Sequence, residues 1–348
     1  MIETFTDKKG WNQVIESIGK FDFYHTYEYH RLLAKNNDIP ALIKYTEGDT
    51  LIALPLIFRK ISGTDYYDAT SVYGYAGPIE KRGSYFEQSA FKNELHQFLF
   101  KHKVISVFSR LHPYIDGQSH TLKDLGEICF HNLVVNIDLT QTLDEQRSRF
   151  NKRLKTYINK ARRECSVIEA TTTQHIQEFA AMYNENMLRV GAEKTYFFDE
   201  QYFIDLLKKG KFNTQLLLVV HNETEEIISG AIFVKTQNVV QYHLSGSKTD
   251  YLHLNPLKLL IDEMRIIATQ QGYTYFNLGG GKSGSEDSLF YFKSSFSKDF
   301  RPFYLWKYVV NKEVYEQLSN KSFDSTLKTN VFKTCDYFPA YRSMARTL

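Results

Sequence analysis

Residues 216–281 read LLLVVHNETEEIISGAIFVKTQNVVQYHLSGSKTDYLHLNPLKLLIDEMRIIATQQGYTYFNLGGG, and the periodicities inside this stretch set the architecture. Leu216–His221, Ile227–Lys235 and Val239–Ser247 are rich in aliphatic, β-branched and aromatic residues, and polar turns join them. They predict three strands of a meander. Asn255-Pro256 then supplies an N-cap and a proline at the first helical position, and Leu257, Leu260, Ile261, Met264 and Ile267 recur at helical spacing up to Gly272. A further strand, Tyr273–Leu278, runs into Gly279-Gly280-Gly281. The order is three strands compatible with antiparallel pairing, a helix and a strand, which is a mixed α/β unit with mostly antiparallel pairing.

Two helices, at about Gln174–Arg189 and Asp199–Lys209, precede that unit, and the first half of the chain carries a comparable pattern. Helices are predicted at Lys8–Ile18 and Tyr27–Lys35, and strands at Ala41–Thr46 and Leu51–Arg59 around the turn Glu47-Gly48-Asp49. Asp68–Pro78 mixes aromatics with glycine and ends on a breaker, as a strand running into a loop close to bound ligand would. A helix near Tyr85–His102 and strands Val104–Ser109 and Leu133–Asp138 complete this half. A chain of 348 residues is long enough for two domains, each with its own core. No Pro/Gly-rich linker is visible, so the boundary is placed at a helix from about Leu143 to Glu164. It divides the chain into 1–142 and 143–311. Phe150, Leu154, Ile158 and Ala161 give that helix one apolar stripe.

The same helix carries the strongest charge asymmetry in the protein. Arg147, Arg149, Lys152, Arg153, Lys155, Lys160, Arg162 and Arg163 fall between positions 147 and 163 with no acid among them. Such a run is either a solvated face or the seat of an anionic ligand. The net charge of +3 is too small to indicate a nucleic-acid binder in bulk, so any such role is local. The aromatic content of 15% suits either aromatic-rich sheets or a groove that stacks rings. Cys129, Cys165 and Cys335 are odd in number and lack CxxC spacing, which predicts neither a disulfide framework nor a cysteine zinc site. The N-terminus has no basic segment followed by an apolar one, and no apolar run approaches the roughly 18 residues that span a bilayer. A cytoplasmic protein without a transmembrane segment is expected.

Several chemistries fail on context. Gly279, Gly281 and Gly284 satisfy G-x-G-x-x-G, but late in their domain and ahead of a polar loop, and Gly281-Lys282-Ser283 lacks the earlier glycine of a P-loop. The eleven histidines form no HExxH, so no metal site is predicted. There is no G-x-S-x-G elbow and no cysteine signature of nucleophilic catalysis. Direct attack by an acceptor amine on an activated acyl group remains, which needs a positioned amine, a proton acceptor and a donor to the developing oxyanion.

Asp287-Ser288-Leu289-Phe290-Tyr291-Phe292-Lys293-Ser294-Ser295-Phe296 resembles the D-x-L-x-x-F-K-x-x-F segment of the Fem aminoacyltransferases, and it follows a strand and glycine loop as theirs does. Phe21–Leu33 resembles the family's entry helix, Tyr73–Pro78 its first "G-P" strand end, and Lys152–Glu164 its R-x-N-I-x-K-A helix through Ile158, Lys160 and Ala161. The blocks keep the family order over roughly 21–309. The resemblance implies tandem GNAT-like acyltransferase subdomains, with the tail 312–348 rejoining the first. It implies aminoacyl-tRNA as donor and a muropeptide, UDP- or lipid-linked at the membrane surface, as acceptor, with no permanently bound cofactor. No long heptad segment is present, so the chain resembles the members without a coiled-coil arm. The family lysine maps on Lys293, where it would stabilise the tetrahedral intermediate or a phosphate, and Phe292 would stack at the donor end. Lys152, Lys155 and Arg162 would meet the donor RNA. Arg189 and Tyr242 would hold the acceptor, and Arg31 and Lys35 compete for a further phosphate contact in the first half.

Two other functions stay open at this stage. One is an acetyl-CoA-dependent N-acetyltransferase acting on an amino sugar or other small amine. GNAT enzymes cradle the pyrophosphate of acyl-CoA on a glycine-bearing loop before a helix. The corresponding residues here, Ser247–Asn255, contain no glycine. The other is a non-catalytic RNA- or glycan-binding module. Candidate proton acceptors are His243, Asp287 and the substrate's own phosphate.

Overall fold

The computed structural model describes residues 1–208, 213–282, 286–322 and 337–343. Gly284 and Ser283 of the two nucleotide-type motifs, Cys335 and the end of the helix expected to reach Lys209 lie outside the described residues.

The chain divides into two compact units, Met1–His131 with Phe303–Leu348, and Asn132–Pro302. The first begins with β1 (Ile2–Phe5), α1 (Lys8–Ile18) and α2 (Tyr27–Leu33). Asp7 caps α1 by accepting from Gly10 N at 2.9 Å, and Trp11, Val14, Ile15 and Ile18 form its buried stripe. β2 (Ile39–Glu47), β3 (Thr50–Lys60), β4 (Tyr67–Thr70) and β5 (Ile79–Lys81) follow, then α3 (Gln88–Lys101), β6 (Val104–Arg110) and the short α4 (Gln118–Thr121). β1, β2, β3 and β4 pair antiparallel in that order, and β4 pairs parallel with β6 beyond α3. Gly74, in the loop after β4, has φ +115°, and a Cβ there would meet the Tyr24 ring at 1.9 Å. Only glycine lets Tyr24 lie against this loop.

The second unit repeats the scheme. β7 (Glu127–Asp138) leads into α5 (Leu143–Ser148), α6 (Lys152–Glu164), β8 (Cys165–Glu169), α7 (Thr173–Arg189) and α8 (Glu200–Leu207). β9 (Asn213–His221), β10 (Ile227–Thr236) and β11 (Val239–Ser247) form the meander read from the sequence, with β8 paired antiparallel on its outer side. α9 (Pro256–Gln270) carries the chain to β12 (Tyr275–Gly279), which pairs parallel with β11 and antiparallel with β7. After α10 (Ser288–Lys293), β13 (Asp299–Val309) returns the chain to the first unit, where Leu305–Val309 pair with β6, and α11 (Lys312–Ser322) follows. Each unit thus has an antiparallel meander joined in parallel, through a helix, to one more strand, as expected of tandem GNAT-like subdomains.

Several expectations need correction. The unit boundaries fall at 131/132 and 302/303, inside β7 and β13, rather than at 142/143 and 311/312. The single helix expected over Leu143–Glu164 is broken. A capping box from Thr142 and Glu145 opens α5, and Asn151, in extended conformation, restarts the helix by accepting from Leu154 N at 2.7 Å. Phe150, at the break, still packs into the core with Leu154, Ile158 and Ala161. β7 begins at Glu127, and β1 and β8 form where no strand was expected.

The basic helix is not free of acids either. Its counter-charges come from α9, where fully buried Asp262 accepts from Arg162 at 2.9 Å, from Arg147 at 3.4 Å and from its own neighbour Arg265 at 2.8 Å. Arg162 also pairs with Glu263.

Candidate active site

The glycine run after β12 and the helix α10 frame the one strongly perturbed lysine among the described residues. Asp287, extended, caps α10: its Oδ1 accepts from Phe290 N and its Oδ2 from Lys282 N, each at 2.9 Å. One carboxylate therefore fastens the glycine loop to the helix. A turn and a half later Lys293 turns inward, only 8% exposed, and its Nζ donates to the carbonyl of Gly280 at 2.7 Å. Burial pushes its pKa down to about 8, and the charge of Asp287 opposes that fall. An ammonium held by a single neutral carbonyl keeps two N–H donors for a developing oxyanion or a phosphate. The segment 287–293 is thus a capped helix rather than an extension of the strand, and Lys293 is buried at its end.

Gly280 permits this geometry. A Cβ there would stand 2.7 Å from both Asn132 Nδ2 and the carbonyl oxygen of Leu133. Since the latter is backbone, Gly280→Ala must displace the glycine loop, and with it the carbonyl that holds Nζ. We expect turnover to drop roughly tenfold, less than on removal of the amine itself, because small misplacements at a reacting centre are costly. Unchanged kcat in steady-state assays would show that this carbonyl does not position Lys293.

The remaining predicted residues divide. Phe292 packs at the edge of the core, with Lys258 Nζ 5.9 Å from its ring centre. Lys152 is exposed at the start of α6, and Lys155 donates to the Ser148 carbonyl at 3.3 Å. Arg162 pairs with Asp262 and Glu263. Arg189 is exposed at the end of α7 and bonds to Asn186. Tyr242 lies against Phe233 with its hydroxyl bonded to Ser245, and burial raises its pKa to about 12. Arg31 and Lys35, in the first unit, are exposed at and just beyond the end of α2.

Of the proton-acceptor candidates, Asp287 already accepts one backbone N–H on each carboxylate oxygen. His243 has Nε2 3.5 Å from the hydroxyl of Tyr202, on the strand face opposite Tyr242. Sequence reasoning missed the Gly280 carbonyl and the grouping of Arg153 and Tyr157 with Lys258, whose Nζ also lies near Phe292. It also missed a row of buried amides: Asn136, Asn277 and Gln241 stand in register across β7, β12 and β11, with Asn277 Nδ2 donating to Gln241 Oε1 at 2.7 Å and Asn136 Nδ2 to Asp299 at 2.6 Å. No group of three metal-ligating side chains occurs among the described residues, and none of their helices is long and apolar enough to cross a membrane.

Residues 218–303, which run from β9 through Lys293, match the model of the FemAB family. In this segment the chain is similar to the FemAB family. The fold is shared with the crystal structure of FemX, at 13% identity and a TM-score of 0.68 over 90% of this chain and 99% of that one. L-PGS from Bacillus licheniformis superposes with a TM-score of 0.57 at 15% identity, covering 87% of this chain and 91% of that one. A tandem GNAT protein from the clavulanic acid biosynthesis pathway gives 0.52 at 9% identity, covering 89% and 99%. No curated protein sequence matches this chain.

Proposed function

We propose that this enzyme transfers an aminoacyl group from aminoacyl-tRNA to an amine of a cell-envelope or peptidoglycan precursor. The observation that carries the reading is Lys293: a buried ammonium at the end of the FemAB-matching segment, held by one carbonyl. In the reaction the acceptor amine attacks the ester carbonyl of the donor, the N–C bond forms, and the ester C–O bond to the ribose breaks. The amine gives up a proton and the departing ribose oxygen takes one. Lys293 stabilises the oxyanion between these steps. Its charge is strongest in a site that excludes water. Arg189 and Tyr242 are assigned to the acceptor, and Arg31 or Lys35 to a phosphate contact in the first unit.

Acyl-CoA is the second donor, as the GNAT-type fold allows. Against it, the connection from β11 to α9 is a 3₁₀ stretch, Thr249–Leu254, ending in left-handed Asn255, in place of a glycine-bearing phosphate loop. The two donors differ in their response to salt. Labelled tRNA should bind at low salt, and changing Lys152 and Lys155 to Gln should make the dependence of log affinity on log salt shallower, by roughly 0.7 to 0.9 for each phosphate that is no longer neutralised. Absence of binding at low salt in fluorescence anisotropy would pass the donor role to acyl-CoA.

A further inference from the structure

Near Phe292, the residue before Lys293, lies a second cationic group that the transfer chemistry does not use. Arg153, on the first turn of α6, donates from Nε to the hydroxyl of Tyr157 at 2.7 Å, and its guanidinium carbon is 5.3 Å from that ring's centre. Lys258, on the first turn of α9, places Nζ 4.3 Å from the centre of the same ring and 5.9 Å from that of Phe292. Its hydrogen-bond partner is the side-chain oxygen of Asn255. Two like charges therefore share one tyrosine, and neither has a carboxylate partner among the described residues. By contrast, Arg147 on α5 and Arg162 on α6 are matched by Asp262, and Lys160 on α6 by Glu164. Burial and the neighbouring Arg153 both lower the pKa of half-buried Lys258, so the pair raises its own electrostatic cost.

An uncompensated pair of this kind favours an anion, and the fork of Arg with the point charge of Lys suits phosphate. The adjoining Phe292 ring suits a base. We infer that Arg153 and Lys258 bind the phosphate of a nucleotide carried by the acyl donor, with its base beside Phe292. The inference rests on the reading that Lys293, the next residue, marks the transfer centre. The 3′-terminal nucleotide of an RNA and the nucleotide of coenzyme A share this chemistry.

The test titrates the full chain separately with a short single-stranded RNA ending in CCA, with coenzyme A and with inorganic pyrophosphate. Arg153→Gln and Lys258→Gln should each weaken the probe that binds by about tenfold, the range of a charged hydrogen bond, while Lys160→Gln leaves it unchanged. If the RNA is the ligand, each change also lowers the salt slope by about 0.7. Binding of coenzyme A alone, abolished in the double variant, keeps the phosphate site and refutes the tRNA donor. Binding of pyrophosphate alone, likewise abolished, overturns the inference, because the pair then holds phosphate but neither nucleotide donor. Full affinity in a folded double variant, or no binding of any probe to the wild type, overturns the inference.

Discussion

Lys293→Met is expected to lower turnover by on the order of a hundredfold or more, the usual consequence of losing one oxyanion donor, without unfolding the protein. Methionine fills the same slot, and the wild-type fold carries a cost that the variant lacks, because a charged amine is buried there with one neutral partner. The pH dependence follows from the direction of the shift. In the fold Lys293 releases its proton near pH 8, and in the unfolded chain near the ordinary lysine value of about 10.4. Between these values the unfolded chain binds more protons, so the wild type gains stability as pH rises from about 8 to 10 and loses that gain as pH falls back from about 10 to 8. The Met variant should lack that gain. Activity runs the other way, since only the ammonium stabilises an oxyanion, and wild-type kcat should fall as pH rises through about 8. Near-wild-type turnover in a folded variant would remove Lys293 from the mechanism.

The largest expected effect on stability belongs to Asp262→Asn. Asp262 is fully buried and answers three guanidiniums, of which Arg265 is only 2% exposed and cannot turn to water. Breaking a buried pair by removing one member leaves an uncompensated charge, a loss of about 3–5 kcal/mol. It would loosen α5, α6 and α9 together, because Arg265 also bonds to Gln146 at 3.0 Å. Replacing Asp262 with Leu and Arg265 with Met together should recover much of the loss, since apolar packing can substitute for a buried pair. Denaturant unfolding checks both variants. A loss below about 1 kcal/mol for Asp262→Asn would show that the arginines find other partners.

The fold was legible where periodicity was strong. The run from Leu216 to Leu278 yielded the three strands, the helix and the last strand in order, because β-branched runs, Asn255-Pro256 and Gly272 are local signals. The break at Asn151 was not, because the apolar stripe from Phe150 to Ala161 continues across it. The lysine at position 293 was legible only through its motif. Its burial, and the Gly280 carbonyl that holds it, depend on a loop closed by Asp287. The acids answering Arg147 and Arg162 lie on α9, about a hundred residues on, so a reading confined to helical spacing within the basic segment could not find them. Arg153 and Tyr157 are one helical turn apart and could have been noticed as a pair, but Lys258 joins them only through the packing of α6 on α9.

The central claim is aminoacyl transfer from tRNA to an envelope precursor, and its most direct test is mass spectrometry of a reaction offering aminoacyl-tRNA and acetyl-CoA together, with a muropeptide as acceptor. A product heavier by one amino-acid residue, absent with Lys293→Met, is the predicted result. A product heavier by an acetyl group, or an unchanged muropeptide beside intact aminoacyl-tRNA, would contradict it.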